Sequence, residues 1–127
     1  MKIKLTSIFV NDQDRALSFY TEVLGFVKKS DFPVGDFKWI TVVSPEGPED
    51  IELLLEPLGH PAAKTFQKEM FEAGIPLMTF AVDDIHKEYE RLLKLGVVFK
   101  SKPVDIEGTS IAVFHDTCGN LIQLFQG

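Results

Sequence analysis

Apolar and polar positions along the chain follow one grammar that is used twice. Residues 2–10 alternate, with Ile3, Leu5, Ser7 and Phe9 on one face and Lys4, Thr6, Ile8 and Val10 on the other, which is the period of a strand. The period then lengthens. Ala16, Phe19, Tyr20, Val23 and Leu24 fall at i, i+3, i+4, i+7 and i+8, the single apolar stripe of a helix that covers a core. Asp12 stands where a side-chain oxygen can accept from the free amides of the first turn, and Gly25 supplies a left-handed stop. Further along, Ile85, Tyr89, Leu92 and Leu93 repeat the stripe, Asp84 the cap and Gly96 the stop. The repeat lies in pattern, with few identical residues.

Between the two helices the spacing predicts strands over 26–32, 37–43 and 50–56. The first is ended by Pro33 and Gly35, the second by Ser44-Pro45-Glu46-Gly47-Pro48, all turn formers. A linking helix is expected over 60–74, with Pro61 in its first turn and Ala63, Phe66, Met70 and Ala73 as its stripe. Strands over 76–82, 97–100, 109–115 and 121–126 complete the second round, the last two joined through Asp116 and Gly119. The reading is an α+β fold in one domain, 1–127. Module one spans about 1–57, the linker about 60–74 and module two about 75–127. Each βαβββ module covers one sheet face with a helix, so the pair is expected to form a curved mixed sheet around a cleft, helices outside.

A chain of 127 residues suits one domain. Its net charge of −6 and lack of any basic run argue against a nucleic-acid partner. One cysteine excludes an internal disulfide and fits a reducing compartment. No stretch approaches the ~18 apolar residues of a membrane span. A cytoplasmic protein with no membrane partner is expected.

Taken in order, several segments resemble the vicinal oxygen chelate superfamily, which includes glyoxalase I, fosfomycin-resistance proteins, bleomycin-resistance proteins and extradiol dioxygenases. They are Val10-Asn11-Asp12 with Ala16-Leu17-Ser18-Phe19-Tyr20-Thr21-Glu22-Val23-Leu24-Gly25, then Asp50-Ile51-Glu52-Leu53, Phe80-Ala81-Val82-Asp83-Asp84, and Asp116-Thr117-Cys118-Gly119-Asn120-Leu121-Ile122-Gln123-Leu124. Together they cover essentially the whole chain. The resemblance implies paired βαβββ modules, in agreement with the element count. In metal-dependent members it also implies a divalent ion held by four side chains, typically histidine, glutamate, histidine and glutamate. Carried over, those four positions fall on Leu5, Glu52, Leu77 and Gln123. Leucine has no lone pair, and an amide offers a neutral oxygen only. One carboxylate is a poor hard-cation site.

The donors that could join Glu52 and Gln123 in a rearranged set are His60 and His115; His86 belongs to the polar face of the second helix. His60 reads equally as a helix-start residue. His115 ends a strand beside the one bearing Gln123, with the parity of Ile111 and Val113. Glu56 shares a face with Glu52, but four strand residues separate them by about 13 Å, too far to share an ion. Cys118 has no base beside it in sequence and reads as a turn residue.

Alternation from the four inherited positions places Ser7, Phe9, Leu54, Thr79, Ala81, Leu121 and Phe125 on the cleft face, with Phe37 and Trp39 as wall. The expected ligand-binding residues are therefore Leu5, Ser7, Phe9, Trp39, Glu52, Leu54, Leu77, Thr79, Gln123 and Phe125, with Glu52 the one candidate for catalysis. That is an apolar, aromatic surface with a few polar points. A protein similar to the glyoxalase/bleomycin-resistance group is expected, binding a small, partly apolar organic molecule without metal or other cofactor. The alternatives are a glyoxalase-type lyase or dioxygenase with a divalent metal on the rearranged set, and a dimeric interaction module. A homodimer is what the resemblance implies.

Overall fold

In the computed structural model, which describes all 127 residues, the chain forms two compact units, Met1–Thr65 and Phe66–Gly127. It is an α+β fold of two four-stranded mixed sheets with three helices. The first unit contains β1 (Leu5–Val10), α1 (Gln13–Ser18) with a π-helical continuation (Phe19–Val23), β2 (Val27–Val34), β3 (Phe37–Val43) and β4 (Glu52–Pro57). Its strands lie in the order β1-β4-β3-β2, with β1 parallel to β4 and the others antiparallel. Helix α2 (Pro61–Glu72) follows, with its last seven residues, 66–72, in the second unit. That unit adds β5 (Met78–Ala81), α3 (Ile85–Lys94), β6 (Val104–Ile106), β7 (Thr109–His115) and β8 (Leu121–Gln126), ordered β5-β8-β7-β6. No helix is long and apolar enough to cross a membrane.

Both predicted caps form. Asp12 accepts from the Arg15 amide at 3.0 Å and Asp84 from the Lys87 amide at 3.1 Å. Each helix covers one face of its own sheet. In the first unit Ala16, Phe19 and Tyr20 are buried, as are Ile8, Val10, Ile40, Val42, Leu53 and Leu55. These strand residues share one parity, so a one-residue slip would turn them away from the helix at about 1.5–3 kcal/mol each. Register is thereby fixed. In the second unit Ile85 and Leu92 of α3 are buried with Ala112, Phe114, Ile122 and Leu124. Tyr89, Phe99 and Phe114 form a chain of ring contacts at 4.7 and 5.5 Å.

Three local expectations need correction. Residues 97–100 form no strand; Phe99 makes only an isolated bridge to Phe114, and the edge strand is β6, beyond Pro103. Three residues of that strand pair with β7 through the tight turn at Glu107 and Gly108, both at positive φ. Strand β2 runs through Pro33 to Val34, because as an edge strand it can spare the proline's missing amide. The buried stripe of α2 includes Ala63 and Gln67, while Phe66 is 47% exposed.

Gln67 is buried because it completes a polar latch in the second unit. Asp116, fully buried, accepts from the amides of Cys118 (2.8 Å) and Asn120 (3.0 Å) and from the Asn120 side chain (2.8 Å). Gln67 Nε2 then donates to Asn120 Oδ1 and to the Cys118 carbonyl, both at 3.1 Å. A Cβ on Gly119 (φ +97°) would meet the Gln67 side chain at 2.6 Å, so close approach as well as backbone conformation requires glycine there.

The same loop holds Thr117 at φ 66°, a region a β-branched residue enters only under strain. Thr117→Asn is expected to raise the urea midpoint, stabilising the fold by about 0.5–1 kcal/mol. Asp116→Asn keeps an oxygen for the two backbone amides but turns an NH2 toward the Asn120 side-chain amide, which now donates to Oδ2. It is expected to cost about 2–3 kcal/mol, and an unchanged midpoint would refute the latch.

Candidate functional site

Register assigns the residues of the sheet faces turned away from α1 and α3. In the first unit Leu5 pairs with Glu52, Ser7 with Leu54, and Phe9 with Glu56. Leu54 is also opposite Thr41, and Trp39 is opposite Phe32. Cross-strand partners share a face, so Leu5, Ser7, Phe9, Phe32, Trp39, Thr41, Glu52, Leu54 and Glu56 lie together, away from α1. The centre of the face is shielded: Thr41 is fully buried and Leu54 is 6% exposed. Its rim is open, with Leu5 at 44% and Phe32 at 50%.

One polar contact occupies the middle. The Thr41 hydroxyl donates to Glu52 Oε1 at 2.7 Å. A threonine has one O–H to give, and here it goes to the carboxylate. The bond fixes one oxygen of a half-buried side chain and leaves the other as an acceptor. Beside it the rings of Trp39 and Phe32 stack, with centroids 6.5 Å apart and planes 22° apart. Trp39, named from the sequence as wall, has the parity of Glu56 and Phe9; Phe32 was not named. Its legible signal was the strand itself, extended through Pro33, which brings Phe32 opposite Trp39.

At the N-terminus of α1 the Lys38 ammonium bonds Asp14 Oδ1 at 2.9 Å. That hydrogen bond, with the attraction of the Asp14 charge, holds Lys38 above the usual lysine range. Lys38 has the opposite parity to Trp39 and belongs to the helix side.

In the second unit Thr79 pairs with Gln123, Ala81 with Phe125, and Val113 with Gln123. His115 pairs with Leu121 and so has the parity of Gln123, which the sequence left open. Its ring packs edge-on against Phe71 of α2, centroids 5.2 Å apart. Gln123 Nε2 reaches Thr79 Oγ1 at 3.4 Å, whereas Leu77 donates its backbone amide to the Leu121 carbonyl. Phe125 is 37% exposed, and Leu121, at 2%, is buried. His60 caps the start of α2 through Nδ1, accepting from the Ala62 amide at 3.0 Å. Cys118 is buried within the latch.

The four positions that the resemblance assigns to a metal carry two alkyl side chains, a carboxylate bonded to Thr41 and an amide bonded to Thr79. No three His, Cys, Asp or Glu side chains group closely enough to hold an ion. The residues present do not fit a divalent metal, which wants about three protein ligands with matched charge.

Known proteins give the same outline. Residues 2–124 match the family described as the Glyoxalase/Bleomycin resistance protein/Dioxygenase superfamily. The uncharacterized protein YurT of Bacillus subtilis (strain 168) is 59% identical over 126 residues, covering 99% of each chain. The crystal structure of UcmS2 is similar with a TM-score of 0.85 at 32% identity, over 98% of this chain and 97% of that one. TnmS3, described as an antibiotic binding protein from Streptomyces sp. CB03234, is similar with a TM-score of 0.77 at 28% identity, over 99% and 95%. A match across nearly the whole length, joined to the two-sheet architecture, means that the chain belongs to the glyoxalase/bleomycin resistance protein/dioxygenase superfamily.

Proposed function

We propose that the protein binds a small, partly apolar organic molecule bearing a hydrogen-bond donor or positive charge, and does so without a metal ion. The contact surface in the first unit is formed by Leu5, Ser7, Phe9, Trp39 and Glu52, with Leu54 as floor. Leu77, Thr79, Gln123 and Phe125 form the ligand-facing surface of the second sheet. The observation that carries this reading is the bond from Thr41 to Glu52, set beside the stacked pair Trp39 and Phe32. A carboxylate is acceptor-only, so its remaining oxygen selects a donor. Aromatic faces favour a flat, cationic partner. The likeness to a protein described as antibiotic-binding supports capture of such a molecule. Membership of the superfamily supports self-association, and the protein works as a homodimer.

The test compares a monocationic acridine dye with the anionic anilinonaphthalene sulfonate. Glu52→Gln is expected to weaken the acridine roughly fivefold to tenfold, less than a fully buried charged hydrogen bond would give, and to leave the anionic dye unchanged. Equal effects on both dyes would contradict a donor-selecting role. Loss of folding in the variant would mark Glu52 as structural.

Protein purified without chelator is expected to carry no stoichiometric divalent ion. Added Zn²⁺ or Mn²⁺ should leave its thermal midpoint unmoved, since an ion bound only by the native chain would raise it. A raised midpoint that Glu52→Gln abolishes would overturn the metal-free reading.

A further inference from the structure

The ladder between β3 and β4 is short, pairing only Thr41 with Leu54 and Val42 with Leu53. Extending that register sets Ile40 opposite Leu55 and Lys38 opposite Pro57. Proline has no N–H, so the Lys38 carbonyl would face a position with nothing to donate. The Gln13 side chain enters the gap instead. Its Nε2 donates to the Lys38 carbonyl at 2.7 Å and to the Leu55 carbonyl at 2.9 Å. Its Oε1 accepts from the Lys38 amide at 3.1 Å. One side-chain amide thus bonds both strands where they part, presenting the same groups as a peptide.

We infer that Gln13 is a positioning residue: it holds β3 and β4 apart at this point and so sets the place of Trp39, the wall of the proposed site. The inference rests on the ligand reading for its consequence and on geometry for its mechanism. Lys38 precedes Trp39, and both its backbone polar groups are held by Gln13. A direct Lys38–Pro57 pairing would draw the strands to the ordinary spacing of about 4.8 Å, with no room for an intervening amide. Trp39, and with it the stack on Phe32, would then start from a displaced backbone. The Lys38–Asp14 ion pair ties the same residue to α1, so the helix N-terminus grips β3 through backbone and side chain alike.

Trp39 is the only tryptophan, so its fluorescence reports on the wall directly. In Gln13→Ala, acrylamide quenching of Trp39 is expected to rise and acridine affinity to fall roughly threefold to tenfold, the range for lost hydrogen bonds. The double variant Gln13→Ala, Pro57→Ala restores an N–H opposite the Lys38 carbonyl. It is expected to regain the urea midpoint but neither the native quenching nor the dye affinity. Recovery of all three would reduce Gln13 to a structural residue and overturn the inference. So would a Trp39 signal unchanged in the single variant, or a displaced Trp39 with native dye affinity. The quenching arm needs no ligand, so a wild type that ignores acridine defeats the ligand reading and leaves the clamp to be decided by Trp39 alone.

Discussion

A single helix can cover only one face of a four-stranded sheet; α1 does so for the first sheet and α3 for the second, while α2 reaches His115 on the second sheet's other face. Everything else follows from that constraint. Alternation sends Ile8, Val10, Leu53, Leu55, Ile40 and Val42 toward α1, and the same alternation sends Leu5, Ser7, Trp39, Thr41 and Glu52 the other way. Register is held by the helix-covered face, where apolar burial is dense. The opposite face is therefore positioned without having to stabilise the fold itself, and it can carry residues chosen for binding.

Polar groups placed in or near the core are each answered. No buried side-chain nitrogen or oxygen lacks a partner. The answers share a form: a side chain stands in for a backbone group that the chain cannot supply. Gln13 supplies the donor absent from Pro57. Asp116 gathers the amides of a loop too tight to pair them, and Gln67 reaches from α2 to finish the set. Thr41 differs, since its partner Glu52 lies on the helix-free face and keeps an oxygen in reserve. Of these bonds, Thr41 to Glu52 alone leaves a carboxylate oxygen unused on the face turned away from the helix.

Much of the fold was legible in the sequence. Both caps, both glycine stops and the strands Phe37–Val43, Thr109–His115 and Leu121–Gln126 could be read from period and turn chemistry. Edge strands were harder. Pro33 signals an end by local rules, but an edge position tolerates it, and β6 is held by three residues of pairing that no periodicity reveals. The π-helical turn at Phe19–Val23 is also silent in pattern, because the spacing of apolar residues does not mark where a backbone bond passes from i→i+4 to i→i+5. At the site, alternation brought Leu5, Ser7, Phe9, Glu52 and Leu54 onto one face. It could not show that Thr41 holds Glu52, nor that Gln13, three residues from the end of β1, reaches two strands. Those contacts depend on sequence separations of 11, 25 and 42 residues that only the fold closes.

The sharpest trial is amide chemical-shift mapping of the protein titrated with the acridine dye. If the helix-free face of the first sheet is the binding surface, shifts should centre on Ser7, Trp39, Thr41 and Glu52, with the Trp39 indole among the largest. Shifts confined to α1 or the loops, with that indole unmoved, would contradict it.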